Sequence, residues 1–394
     1  MLNKLNVAMF IAILLSSSVF FTVKAETAFA TGVSLSPKSY QPSDFSEFFV
    51  KARQAGNIVS WAGDWDDLAA ADKAPEVVAE LASIYNYTPL IEAQFFTQST
   101  GQLLRPLNDT IKQNYTNKTV QFASKYKPKY LALGIEVNVL YDKSPTDFEN
   151  FAGFYGEVYD AVKGVSPTTS VFTIFQLEKM KGLNGGLFGG ENNSTNAQWF
   201  LIDRFPKSDI IAFTTYPSLV FKNPSEIPLD YYSEISSHTT KTIAFTESGW
   251  HTAPTPTEWE GSEEKQADFV KLFFNYTQNL NKQFAIWSFL YDQNVTVPFN
   301  SMGFFGTDGS SKLAWNTWIQ LTIPEFPSFL VLSLFMVATL PVIIAVRRKL
   351  VACTSLVLFS VPAVHVREKA FMQKPFIEHL DIENTQAYLL KPEE

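Results

Sequence analysis

Two glutamates close short apolar runs at places where carboxyl chemistry is available. One sits in Leu131-Ala132-Leu133-Gly134-Ile135-Glu136-Val137-Asn138. The other sits in Ile243-Ala244-Phe245-Thr246-Glu247-Ser248-Gly249-Trp250. Burying one carboxylate without a partner is expensive. Two around one apolar, aromatic-rich cavity suit a reaction that consumes both an acid and a nucleophile or base. Glycoside hydrolysis is such a reaction: one carboxyl protonates the departing oxygen while the other attacks the anomeric carbon or activates water. Opposed environments hold one protonated and the other ionised near neutrality. Either glutamate alone reads equally well as a structural acceptor at a strand end, so the catalytic reading belongs to the pair. In the first run, alternation sends Leu131, Leu133 and Ile135 to the helix layer, and Ala132, Gly134 and Glu136 inward. In the second the two faces are less distinct, and alternation does not settle where Glu247 points.

Aromatic and amide residues at other run ends are secondary candidates. Trp61, Asp64 and Trp65 lie in "SWAGDWDD". Indole faces stack on sugar C–H faces, and a nearby carboxylate accepts from hydroxyls; rim packing is the equal alternative. Glu92, Gln94 and Phe96 alternate along one run, with Gln94 expected to point inward. Trp250 is expected as a subsite wall and His251 as a surface loop residue. The loop 182–195, "GLNGGLFGGENNST", reads as a lid or a flexible excursion.

These residues need elements to position them. Short β-branched or aromatic runs alternate with longer amphipathic ones. Strands are expected at Gly32–Ser36, Ile58–Ala62, Pro89–Phe96, Tyr130–Val137, Ser170–Gln176, Ile210–Tyr216, Thr242–Glu247 and Phe284–Tyr291. Helices are expected at Asp44–Ala55, Pro75–Tyr85, Ile111–Tyr126, Pro145–Val165, Ala197–Phe205, Tyr231–His238, Glu263–Leu280 and Lys312–Leu321. Ser144 is expected to cap the fourth helix, with Pro145 in its first turn. Eight strand–helix units predict a (β/α)₈ TIM barrel over residues 26–322, near the ~250 residues usual for that fold. The active face is then the C-terminal ends of the strands, where the fourth and seventh strands lie nearly opposite. A doubly wound dinucleotide fold would want G-x-G-x-x-G after its first strand, and none is there.

Composition narrows the function further. The chain has 394 residues, 46% hydrophobic and 15% aromatic, with a formal charge of −8. That charge argues against a nucleic-acid partner. One cysteine and four histidines disfavour thiolate or multi-histidine metal sites, and no cofactor is expected. Neither G-x-S-x-G nor a Walker phosphate loop occurs.

Both ends read as targeting segments. Residues 1–25 have the charged start, apolar stretch and small-residue cleavage site of a signal peptide. Phe329–Val346 is an uncharged run followed by Arg347-Arg348-Lys349, long enough for a membrane span with its cytoplasmic flank. Residues 323–328 link the two, and 347–394 form a basic cluster and tail, either a second short span or an extension. The expected location is the cell surface, anchored in the membrane. Asn-X-Ser/Thr acceptors at Asn86, Asn108, Asn114, Asn117, Asn192, Asn193, Asn275 and Asn294 favour a glycoprotein.

Several motifs bear a family resemblance. "LALGIEVN" and "IAFTESGW" resemble the acid/base and nucleophile signatures of clan A retaining glycoside hydrolases. "IIAFTTYPS" is similar to the Tyr-Pro motif of family 53 endo-β-1,4-galactanases, and "FAIWSFLYD" resembles the strand-eight tryptophan motif of the clan. The resemblance implies Glu136 as acid/base, Glu247 as nucleophile, Tyr216 beside the nucleophile and Trp287 as a sugar platform. The chain departs in one place: Ile135 stands where the clan has asparagine, with Asn138 the candidate substitute. "PEFPS" with its span and basic cluster resembles the archaeal PEF-type sorting tail, which implies a sorting transpeptidase as partner. The expected function is a membrane-anchored extracellular retaining glycoside hydrolase acting on β-linked carbohydrate. The alternative is a non-catalytic carbohydrate-binding or cell-envelope protein on the same barrel.

Overall fold

The computed structural model describes residues 29–322, apart from 72 and 256–258. The expected signal peptide (1–25), linker (323–328), membrane span (329–346) and tail (347–394) lie outside the described residues. No helix among the described residues is long and apolar enough to cross a membrane.

The β-branched and aromatic runs form strands β1 (Ala30–Ser34), β2 (Ile58–Asp64), β3 (Thr88–Gln94) and β4 (Tyr130–Leu133). They continue as β5 (Ser170–Phe172 and, after Thr173, Ile174–Gln176), β6 (Ile211–Thr215), β7 (Ile243–Ser248) and β8 (Lys282–Trp287). Every neighbouring pair is parallel, and β8 returns to pair with β1. The first half of β5 pairs with β4 and the second half with β6, so the ring is complete except at Thr173. This is the α/β barrel expected of the sequence.

Period-two alternation divides each strand between two apolar layers. Ile58, Leu90, Ala132, Phe172, Ile174, Ala212, Ala244, Phe284 and Ile286 fill the interior. Val59, Ile91, Leu131, Leu133, Phe213, Phe245 and Trp287 pack outward against the helices. Those helices include α1 (Pro42–Ala55), α2 (Ala74–Tyr85), α3 (Asp109–Tyr126), α4 (Val137–Lys143) and α5 (Pro145–Val165). Then come α6 (Leu177–Met180), α7 (Ile235–His238), α8 (Glu263–Thr277) and α9 (Leu313–Thr322). Asn108 and Ser262 cap α3 and α8 by accepting from Ile111 N (3.0 Å) and Lys265 N (3.2 Å). Ser144 does not cap α5 as expected; its hydroxyl donates to the Asp147 carboxylate at 2.7 Å. The helices expected over Ala197–Phe205 and Tyr231–His238 shrink to a 3₁₀ stretch, Trp199–Arg204, and the single turn α7. Tyr231 and Tyr232 are fully buried against Phe221 and Phe245, and this packing overrides local helix preference.

Two irregularities shape the upper rim. Strand β4 stops at Leu133, four residues before the expected end. Gly134 there has φ +83°, and a Cβ on it would stand 2.8 Å from the Phe95 ring and from Val137 Cγ1. The break reverses parity, so Ile135 joins the interior cluster instead of the helix layer. On the other side, Phe213 is opposite Phe245 but Thr214 is opposite Glu247, which leaves Thr246 as an extra residue in β7. Such a bulge turns the next side chain to the other face.

Candidate active site

The break after β4 leaves Glu136 at φ +56°, ψ +43°, heading α4. Its Oε1 accepts from Thr214 Oγ1 of β6 (2.6 Å) and Gln176 Nε2 of β5 (3.1 Å). Burial pushes this carboxyl above its ordinary range. The two donors, and the charge of Lys179, pull it part of the way back. Thr214 is also the register partner of Glu247. A single residue thus links the two glutamates, bonded to Glu136 through its hydroxyl and one strand from Glu247 in register.

The bulge in β7 carries Glu247 inward. The Tyr216 hydroxyl donates to Glu247 Oε2 and lies 2.7 Å from Ser288 Oγ. Burial raises the Glu247 pKa first, the charge of Glu136 raises it further, and the Tyr216 bond lowers it. Tyr216 is itself held by a carboxyl beneath it. Glu178 of α6 takes Tyr216 N (2.9 Å), Thr215 Oγ1 (3.0 Å) and Tyr231 OH (2.9 Å) on one oxygen. Burial brings Glu178 up to about 7. Beside Glu247 lies a cleft of about 40 Å³ walled by Ser34, Tyr40, Ser60, Trp61, Ser288 and Phe289. It is room for water, far below the roughly 300–1,000 Å³ of small-molecule pockets.

Of the secondary candidates, Trp61 lines that cleft. The others are occupied elsewhere. Asp64 takes both its oxygens to Arg105 Nη1 (2.8 Å each) and caps the turn at Asp66 N (2.9 Å). Trp65 is buried against Tyr115, with the Arg105 guanidinium over it. Gln94 binds Ile135 N (3.3 Å), Ile135 O (3.1 Å) and Phe95 N (3.0 Å), pinning the broken end of β4. Asn138 is fully buried on α4, bonded to Gln176 N (2.8 Å), Gln176 O (3.1 Å) and Gln198 Oε1 (3.0 Å), so its amide is not free to contact a sugar.

Two tryptophan expectations are corrected. Trp287 follows inward-facing Ile286 and so points outward. It is wholly buried, stacked on Phe304 at 4.7 Å, with Nε1 donating to Met302 O (2.8 Å), and offers no platform to a sugar. Trp250 is likewise core, against Phe269. His251 is buried as well, not a surface loop residue, and burial lowers its pKa to about 4. The loop 182–195 folds back, laying Leu187 and Phe188 against the cluster of Tyr216, Phe289 and Met302.

Thr214, Gln176, Glu178 and Ser288 were not singled out by sequence. Alternation carried the signal for two of them: Phe172, Ile174 and Gln176 share one face, as do Ala212 and Thr214. Glu92, which alternates with Gln94 in the sequence, also faces inward, two residues beyond interior Leu90 and fully buried. Among the described residues no group of three or more His, Cys, Asp or Glu is placed to hold a metal.

No family model matches the chain, and no curated protein is detectably similar. Solved structures do match. A family 39 glycoside hydrolase from Bacteroides cellulosilyticus WH2 aligns with TM-score 0.52 at 16% identity, over 75% of this chain and 64% of its own. An exo-β-1,4-mannosidase from Opitutaceae bacterium strain TAV5 gives 0.53 at 14%, over 75% and 59%. A β-glucuronidase from Ruminococcus gnavus gives 0.53 at 12%, over 76% and 51%. The chain spans between half and two thirds of the length of these structures, and what it shares with them is the barrel.

Proposed function

We propose that this protein is a glycoside hydrolase that cleaves β-linked saccharide by a retaining double displacement. The observation that carries the reading is the placement of Glu136 and Glu247 at the C-terminal ends of β4 and β7, with Thr214 of β6 hydrogen-bonded to the first and in register with the second. Glu136, pushed up by burial, holds a proton for the glycosidic oxygen. Glu247, steadied by Tyr216, attacks the anomeric carbon as the C–O bond breaks, forming a glycosyl-enzyme ester. Glu136, now ionised, takes a proton from water, whose oxygen displaces Glu247 and releases the sugar. That route calls for carboxyl groups ~5–5.5 Å apart. The neighbours in the structure comparison, a mannosidase and a glucuronidase among them, support this class. A β-1,4-galactan preference rests on the Tyr216-Pro217 motif. Residence at an archaeal cell surface, anchored through 329–346 and processed by a transpeptidase, rests on the sequence of the two ends.

A second reading is a carbohydrate-binding protein without turnover. The narrow cleft, Ile135 before Glu136 and the outward-facing Trp287 favour it. Assay of the full chain on nitrophenyl glycosides and β-1,4-linked polysaccharides separates the two. The hydrolase reading expects turnover that Glu247→Ala removes and that azide restores with formation of a glycosyl azide. Glycan binding without turnover in the wild type selects the second reading.

A further inference from the structure

Glu92 is a carboxyl that the proposed reaction does not use. It lies inward on β3, with Ala62 of β2 and Ala132 of β4 as register partners. Its side chain is wholly buried, and neither oxygen meets a hydrogen-bond donor in bonding geometry. From β2 the hydroxyl of Ser60 lies by it, but that hydroxyl donates to Ser34 at 2.9 Å. From β7 the charge that acts on it is Glu247. β4 presents Ala132, without charge, and no lysine or arginine among the described residues compensates it. The other titratable groups of this interior are Tyr130, one layer below on β4 against Phe284, and Glu136 and Tyr216 above, the last two acting on Glu247.

Two carboxylates in one dry barrel repel, and each costs several kcal/mol to ionise there. The first proton leaves the group with a donor and access to solvent. Glu247 has both, through Tyr216 and the cleft; Glu92 has neither. We propose that Glu92 is a positioning residue for Glu247: it keeps its proton on the barrel floor, so that the pair carries one negative charge and Glu247 bears it. An ionised Glu92 would drive the proton onto Glu247 and silence it as a nucleophile; a neutral one leaves Glu247 an anion. The nucleophile role rests on the glycosidase reading, whereas the placement of the proton does not.

The test uses the full chain as wild type, Glu92→Gln and Glu247→Gln, with infrared difference spectra and thermal unfolding between pH 5 and 9. At neutral pH the wild type should show a protonated-carboxyl band that Glu92→Gln lacks. A group whose folded pKa is raised stabilises fully below its unfolded value and loses that stability as pH climbs through the folded value. Glutamine, always neutral, loses none. The Tm of Glu92→Gln relative to wild type should therefore rise with pH, by about 3 °C or more across the range. In Glu247→Gln the like charge is gone, and the band should disappear at lower pH than in the wild type; this arm stands even if Glu92→Gln fails to fold. An unchanged band in Glu92→Gln, a Tm difference constant with pH, or an unmoved band in Glu247→Gln overturns the proposal. A chain that meets these expectations and hydrolyses no glycan keeps the proposal and loses the glycosidase reading.

Discussion

The two sides of the barrel mouth treat their carboxyls differently. On the side of β4, β5 and β6, Glu136 receives two side-chain donors, and Gln94 and Asn138 brace the surrounding backbone. On the side of β7, β8 and β2, Glu247 has one phenol, and the nearby serines frame a cleft. Two side-chain donors on one oxygen leave the Glu136 carboxyl little freedom, so the first side fixes geometry. The second gives up satisfied bonds and gains an opening. A carboxyl that only donates and retrieves a proton benefits from being held; one that forms a bond to carbon needs unfilled space in front of it.

Substitutions on either side sharpen this contrast. The largest effect is expected for Glu247→Ala, a loss of turnover of about 10³-fold or more. Differential scanning fluorimetry should show its thermal midpoint nearly unchanged, because the removed carboxyl is buried at a cost and bonded to one phenol with no cation beside it. Next, Glu136→Gln should cost about 10²–10⁴-fold on unactivated glycosides and far less on nitrophenyl leaving groups that need no proton. A loss equal on both would reverse the assignment of the two sides. Third, Tyr216→Phe removes the bond that lowers the Glu247 pKa. The acid limb of the kcat/KM profile should move to higher pH, with about a tenfold loss at neutrality. Smallest, Thr214→Val removes a donor that lowers the Glu136 pKa but leaves Gln176 in place. The alkaline limb should move to higher pH with only a few-fold change in kcat. If Thr214→Val and Tyr216→Phe shift the same limb, the two sides do not hold separate roles.

The ring itself was legible because eight apolar runs separated by amphipathic ones leave little else to build. Helix α5 begins and ends where Pro145 and Val165 put it. The rim was harder to read, since its key residues sit at backbone irregularities. Ile135 was expected outside because strict alternation was carried through Gly134, whose positive φ breaks it. Glu247 could not be oriented because the extra residue in β7 is visible only against the register of β6. Asp64 takes the packing alternative to a sugar contact, and its partner, Arg105, lies too far along the chain for local pattern to choose between the two. Trp287 is a different error: inward Phe284 and Ile286 already place the next residue outward, and resemblance to a motif displaced that simpler argument.

The gap at Thr173 has a consequence of its own. There the wall is stitched by side chains in place of a ladder: Thr173 Oγ1 to Gly134 O (3.2 Å) and Thr173 N to Ser208 Oγ (3.3 Å). Ile174 N reaches the same Gly134 oxygen at 3.2 Å. Both discontinuities in the cylinder therefore meet at one carbonyl, two residues before Glu136. Solvent deuterium should enter the wall first at this seam, and any widening of the mouth to admit a bulky guest has a ready-made place to begin.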